Sequence, residues 1–76
     1  PQKLVNVPVK QRINLDESVT IQDAVKQAES ELGERGRVLL RASGTEPLIR
    51  VMVEGEDSTE TKRLAEAIAD VVRNAA

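Results

Sequence analysis

Residues 37–54 read Arg-Val-Leu-Leu-Arg-Ala-Ser-Gly-Thr-Glu-Pro-Leu-Ile-Arg-Val-Met-Val-Glu. Two apolar runs flank a segment holding a glycine, two hydroxyls and a proline, which is turn chemistry. The spacing predicts two strands, 37–43 and 48–54, folded back on each other. On the first, Val38, Leu40 and Ala42 point one way, while Arg37, Leu39, Arg41 and Ser43 point the other. On the second, Ile49, Val51 and Val53 make a β-branched face opposed by Leu48, Arg50, Met52 and Glu54. Arg41 and Arg50, one from each strand, are thereby brought back beside the loop that separates them.

Upstream, Leu4 to Lys10 places Val5, Val7 and Val9 on one face by strict alternation and reads as a strand. Pro8 cannot donate to a ladder, so this strand belongs at a sheet edge. Residues 11–19 read as a connection anchored by Ile13 and Leu15, with a short strand around Arg12 to Leu15. From Thr20 the period becomes helical: Ile21, Ala24, Val25, Ala28 and Leu32 form one stripe. Ser18 or Thr20 can cap its start and Gly33 its end. A last helix is expected from about Asp57 to Arg73, with Asp57 and Glu60 at capping-box spacing. Its stripe is Leu64, Ala65, Ile68, Val71 and Val72.

The order β-α-β-β-α predicts an α+β fold of two layers, an antiparallel sheet with both helices on one face. Placing the third strand between the first and second keeps the hairpin intact, gives a right-handed crossover and leaves Pro8 on an edge. The aliphatic faces then lie under the helices. Arg37, Arg41 and Arg50 fall on the opposite face with Leu4, Leu39, Leu48 and Met52, an apolar surface fit for a neighbouring domain, a partner protein or a ligand cleft.

Composition narrows the chemistry. Seventy-six residues make one small domain, able to bury only roughly 60% of its unfolded surface. With no cysteine and no histidine there are no disulfides, thiolate nucleophiles or imidazole bases, and zinc sites of the usual kind are excluded. Without Phe, Tyr or Trp there is no base-stacking platform, and a net charge of −2 does not attract a polyanion, so nucleic acid is not an expected partner. No apolar run approaches the ~20 residues of a membrane span. The chain opens Pro1-Gln2-Lys3 without an initiator Met, which suggests a piece of a longer protein, with a processed mature chain as the alternative.

The loop has its own chemistry. Two guanidinium groups near one turn repel unless an anion lies between them, and charge-assisted bonds to phosphate are worth ~1.5–3 kcal/mol each. Gly44 at positive φ would let successive N–H groups converge as an anion nest. Glu46 is ambiguous: it could pair with an arginine and replace the anion, or accept a sugar hydroxyl. Ser43 and Thr45 have no base to activate them. Read from these residues alone, an anion site and an ordinary hairpin turn both stay open.

Arg41 to Asp57 closely resembles the C-terminal domain of the α-D-phosphohexomutases, most of all the bacterial members that act on glucosamine phosphates; the opening Pro1 to Val7 resembles their entry into that domain. Relatives acting on mannose and glucose phosphates tend to carry an Asn-Thr loop that is absent here. The resemblance implies a TATA-box-binding-protein-like fold and a single phosphate-binding domain, 1–76, the fourth and last of a cytoplasmic enzyme. It implies that the parent isomerase interconverts glucosamine 6-phosphate and glucosamine 1-phosphate, for peptidoglycan precursors, through a phosphoserine and glucosamine 1,6-bisphosphate. Magnesium would sit beside that serine, in another domain. Carried over by position, Arg41, Ser43, Gly44, Thr45 and Arg50 would hold the phosphate that is not reacting, with Glu46 as a sugar or loop contact. No catalytic residue and no metal ligand is expected in this chain, whose partners would be the sugar phosphate and the other domains. A related mutase with another sugar, or a freestanding interaction domain, are the alternatives.

Overall fold

A computed structural model describes residues 1–10 and 14–75. Strand β1 (Gln2–Pro8) is followed by helix α1 (Val19–Leu32), a single 3-10 turn (Gly33–Arg35), strands β2 (Arg37–Ala42) and β3 (Leu48–Glu54), and helix α2 (Ser58–Ala75). The sheet order is β1-β3-β2, and both outer strands run antiparallel to β3. The hairpin therefore stays intact while β1 takes the free side of β3, as the sequence predicts.

The register explains why Pro8 is tolerated. Val9 N–H donates to Pro47 O at 2.8 Å and Gly55 N–H to Pro1 O at 3.1 Å. These bonds put the odd residues of β1 in hydrogen-bonding register with β3. The even residues aim their backbone groups off the sheet edge. Pro8 falls in that second set, so its missing N–H costs no ladder bond.

Both helices cover one face. Val7 and Val9, with Ile49, Val51 and Val53, meet Ile21, Ala28 and Leu32 of α1 and Leu64, Ala65, Ile68, Ala69 and Val72 of α2 in one buried cluster. Each Val, Leu or Ile of this cluster contributes roughly 1.5–3 kcal/mol when fully buried, so a core without aromatics suffices here. The outer strands are less covered: Val5, Val38 and Leu40 are only partly buried against that cluster.

Local signals end the helices. Ser18 Oγ accepts from Ile21 N–H at 3.4 Å, choosing between the two cap candidates. Gly33 takes φ 58° and its N–H bonds Glu29 O, a conformation suited to glycine. Asp57 Oδ1 accepts from Thr59 N–H at 2.8 Å and Glu60 N–H at 3.3 Å. The side chain of Glu60 turns to Arg35 at 3.4 Å, so Asp57 caps α2 without the reciprocal half of a capping box. Gly36 is required sterically, because a Cβ there would run into the carbonyl oxygen of Glu54.

One expectation fails. The strand anticipated around Arg12 to Leu15 does not include Asn14 or Leu15. Leu15 to Glu17 form a turn, closed by Glu17 N–H on Asn14 O at 3.1 Å and Asp16 N–H on Asn14 Oδ1 at 3.0 Å. The asparagine side chain offers the backbone a local bond that competes with a ladder. Leu15 does act as an anchor, partly buried against the core. Arg12 and Ile13 lie outside the described residues.

Candidate functional site

The face away from the helices is built in rows across the three strands. Gln2, Glu54 and Arg37 form the first, Leu4, Met52 and Leu39 the second, and Asn6, Arg50 and Arg41 the third. Arg37 Nε lies 3.5 Å from Glu54 Oε1, so the first row is charge-paired. In the second, Met52 is 8% exposed, whereas its flanking leucines are open, Leu4 at 63% and Leu39 at 45%. The third row is cationic.

Arg41 and Arg50 are direct cross-strand partners. Ser43 N–H donates to Leu48 O at 2.8 Å, so Arg41 and Arg50, two residues further on, also form a hydrogen-bonded pair, with Cα atoms about 5.5 Å apart. Both side chains are exposed, and among the described residues neither makes an ion pair. Like charges directly opposite destabilise a sheet. Glu46, the acid expected either to replace an anion or to meet a sugar, forms no ion pair with them.

The loop beside this pair is organised by Ser43. Its Oγ accepts from Thr45 N–H at 3.4 Å and Glu46 N–H at 3.3 Å. Leu48 N–H bonds back to Glu46 O at 2.8 Å across Pro47, and the Val9–Pro47 bond ties the loop to the end of β1. Ser43 is half-buried; Gly44, Thr45 and Glu46 are exposed. As an acceptor twice over, the serine oxygen keeps its own O–H free to donate outward.

The nest anticipated at Gly44 is not formed. Gly44 does not have positive φ, because the Ser43 hydroxyl gathers the following amides and shapes the turn without a left-handed residue. A Cβ at Gly44 would meet nothing within 4 Å. The glycine is therefore not demanded by the chain's own packing; it leaves the loop surface low for a close approach from outside.

Two hollows adjoin these residues. One, about 260 Å³, lies on the open face and is lined by Leu4, Leu39, Met52, Arg41 and Arg50 with Gln2. The other, about 350 Å³, lies behind the loop, where Val9, Ala42 and Ile49 contribute to its walls. Arg41 and Arg50 line the first, whereas among the described residues no lysine or arginine lines the second, so the first suits an anion. Asn6, not singled out by the sequence reading, joins the arginine row through β1; its signal was a lone polar residue between Val5 and Val7. Among the described residues no group of three or more metal-ligating side chains converges, and no helix is long and apolar enough to cross a membrane.

Residues 4–71 match the family model of the phosphoglucomutase/phosphomannomutase C-terminal domain. The chain belongs to this family. A phosphoglucosamine mutase of Methylobacillus flagellatus is 60% identical over all 76 residues, which make up 17% of that protein. The chain thus spans about one-sixth of the length of the curated relatives it matches. Among solved structures, Aspergillus fumigatus N-acetylphosphoglucosamine mutase with serine 69 changed to alanine, in complex with glucose 1,6-bisphosphate, superposes with a TM-score of 0.79 at 32% identity, covering 99% of this chain and 15% of that one. The same fungal enzyme in complex with GlcNAc-6P and magnesium superposes at 0.77 and 30% identity, covering 99% and 16%. The phosphoglucomutase/phosphomannomutase C-terminal domain is therefore present here with its sheet, both helices and the loop between β2 and β3.

Proposed function

We propose that the chain is the phosphate-holding, fourth domain of a cytoplasmic phosphoglucosamine mutase, the isomerase that interconverts glucosamine 6-phosphate and glucosamine 1-phosphate for cell-wall precursor synthesis. The observation that carries this reading is the Arg41–Arg50 pair, exposed on the open sheet face beside the Ser43–Glu46 loop and, among the described residues, ion-paired with no acid. Two guanidinium forks about 5.5 Å apart at their bases suit a phosphate dianion. The hydroxyls of Ser43 and Thr45 supply further donors at its edge, Gly44 leaves room for a close approach, and Glu46 stands beside the sugar.

The domain would hold the phosphate that is not reacting. Holding it fixes the sugar and brings the other phosphate into line with groups in other domains, so the contribution is orientation and exclusion of water rather than bond making. The metal and the phosphoserine would lie elsewhere in the parent protein. Magnesium there would polarise the transferring phosphoryl group. A glucosamine 1,6-bisphosphate intermediate presents a phosphate at either end, and a symmetric guanidinium clamp accepts both.

Titration of the 76-residue chain with glucosamine 6-phosphate and with inorganic phosphate, followed by backbone amide shifts, tests this reading. Shifts should centre on Ser43 to Glu46 and vanish in Arg41→Ala/Arg50→Ala. Unchanged binding in that double variant would remove the assignment.

A further inference from the structure

On the open face β1 presents Gln2, Leu4, Asn6 and Pro8; Gln2 and Asn6 have side chains that can hydrogen-bond, and Gln2 stands two rows away, opposite Glu54, which leaves Asn6 as the one in the arginine row. The register sets Asn6 opposite Arg50. Because the Val9–Pro47 and Gly55–Pro1 bonds define the odd residues as the hydrogen-bonded set, Asn6 and Arg50 form a non-hydrogen-bonded pair. Such pairs bring Cα atoms to about 4.5 Å and their side chains closer together than in the alternate set. Arg50 thus has two flanking neighbours, and the nearer one is not Arg41 but a neutral carboxamide. Asn6 is exposed, and its side chain makes no hydrogen bond to the described residues.

We infer that Asn6 is a positioning residue for Arg50: its side-chain oxygen accepts a guanidinium N–H on the β1 side, while Arg50 gives its remaining donors to the phosphate shared with Arg41. The inference rests on the phosphate reading above. A guanidinium has five N–H donors, and a bidentate contact to one phosphate uses two. Those facing β1 need an acceptor if the long side chain is to stop swinging. A carboxylate at this place would supply one, but would also neutralise Arg50 and compete with the ligand. An aliphatic residue would supply none. A carboxamide steers the arginine and leaves its charge intact.

Inorganic sulfate is the probe, since it stays doubly charged across the useful pH range. Binding is followed on the amides of Ser43 to Glu46 and on the Arg50 Nε–H resonance. Asn6→Ala should weaken sulfate about threefold to tenfold and broaden the Arg50 Nε–H signal. Asn6→Asp should weaken it at least tenfold at pH 7. Binding should then recover as the pH falls through about 4, where the introduced carboxyl becomes neutral and still offers an acceptor. Charged groups near that face, Arg37, Arg41, Arg50, Glu46 and Glu54, are common to every protein compared, so each pH series is read against the parent chain. Asn6 is on the surface, and unchanged amide shifts at Val5 and Val7 verify that β1 is intact. Equal sulfate affinity in the parent and both variants at pH 7 would overturn the inference, as would a loss in Asn6→Asp that is the same at pH 7 and pH 4. Abolition of binding in Arg41→Ala/Arg50→Ala with no effect at Asn6 removes Asn6 alone; unchanged binding in that double variant removes the phosphate reading itself.

Discussion

Arg41 and Arg50 stand directly opposite each other across the β2–β3 ladder, and no carboxylate among the described residues pairs with either. The same face does hold a paired arginine: Arg37 has Glu54 at 3.5 Å. Neutralising pairs are thus available to this sheet and are not used where the two cations meet. A fold under selection for stability alone would separate them or place an acid between them, since like cross-strand charges cost a few tenths of a kcal/mol to ~1 kcal/mol.

Arg41→Gln therefore separates stability from binding. Urea unfolding should show stability unchanged or raised by up to ~1 kcal/mol, because the repulsion is relieved. Phosphate affinity should fall roughly tenfold or more, the worth of a charge-assisted contact. A large loss of stability with affinity intact would mean that the pair serves the fold.

Ser43 acts on the loop first and on a ligand second. In Ser43→Ala the amides of Thr45 and Glu46 lose their shared acceptor. Hydrogen exchange at those two positions should accelerate, while global stability changes by no more than ~1 kcal/mol because the loop is exposed. Ser43→Thr retains the hydroxyl and should keep slow exchange.

Gly36 packs against the end of β3 so closely that no side chain fits. Gly36→Ala should cost on the order of 2–4 kcal/mol, since the obstacle is the Glu54 carbonyl in the backbone and cannot rotate aside. Thermal melting of the variant beside the parent measures it. Gly44→Ala is the control: with open space at its Cβ, it should melt close to the parent.

Ile68 is 1% exposed and sits in the centre of the buried cluster. Ile68→Ala should cost ~2–5 kcal/mol, transfer and cavity terms together. A domain of this size holds roughly 4–11 kcal/mol in all, so the variant should unfold at a clearly lower urea midpoint than the parent, followed by circular dichroism.

Most of the architecture was legible because its signals are local. Alternation at Val5, Val7 and Val9, and the helical spacing of Ile21, Ala28 and Leu32, name each element by period alone. Pro8 and the short hairpin loop then left one sensible strand order. The failures came where a side chain competes for the backbone. Asn14 made a turn where a short strand was expected, and Ser43 drew in the two amides that a positive-φ glycine would have aimed at an anion. Both are hydrogen bonds over two or three residues, and composition does not reveal which local partner prevails.

The sequence by itself determined the two faces of each strand, since parity is a property of the chain: Arg41 shares a side with Leu39, and Arg50 with Met52, and burying the aliphatic faces of both strands leaves all four on the open side. It also carried the loop residues that mark the family. Only the tertiary structure decided which of those residues become neighbours. Register across β3 is set by non-local bonds, among them Val9 to Pro47 and Gly55 to Pro1, and these fall between residues 38 and 54 positions apart. A shift of one residue there would have turned Asn6 to the helices; the observed register instead sets it beside Arg50.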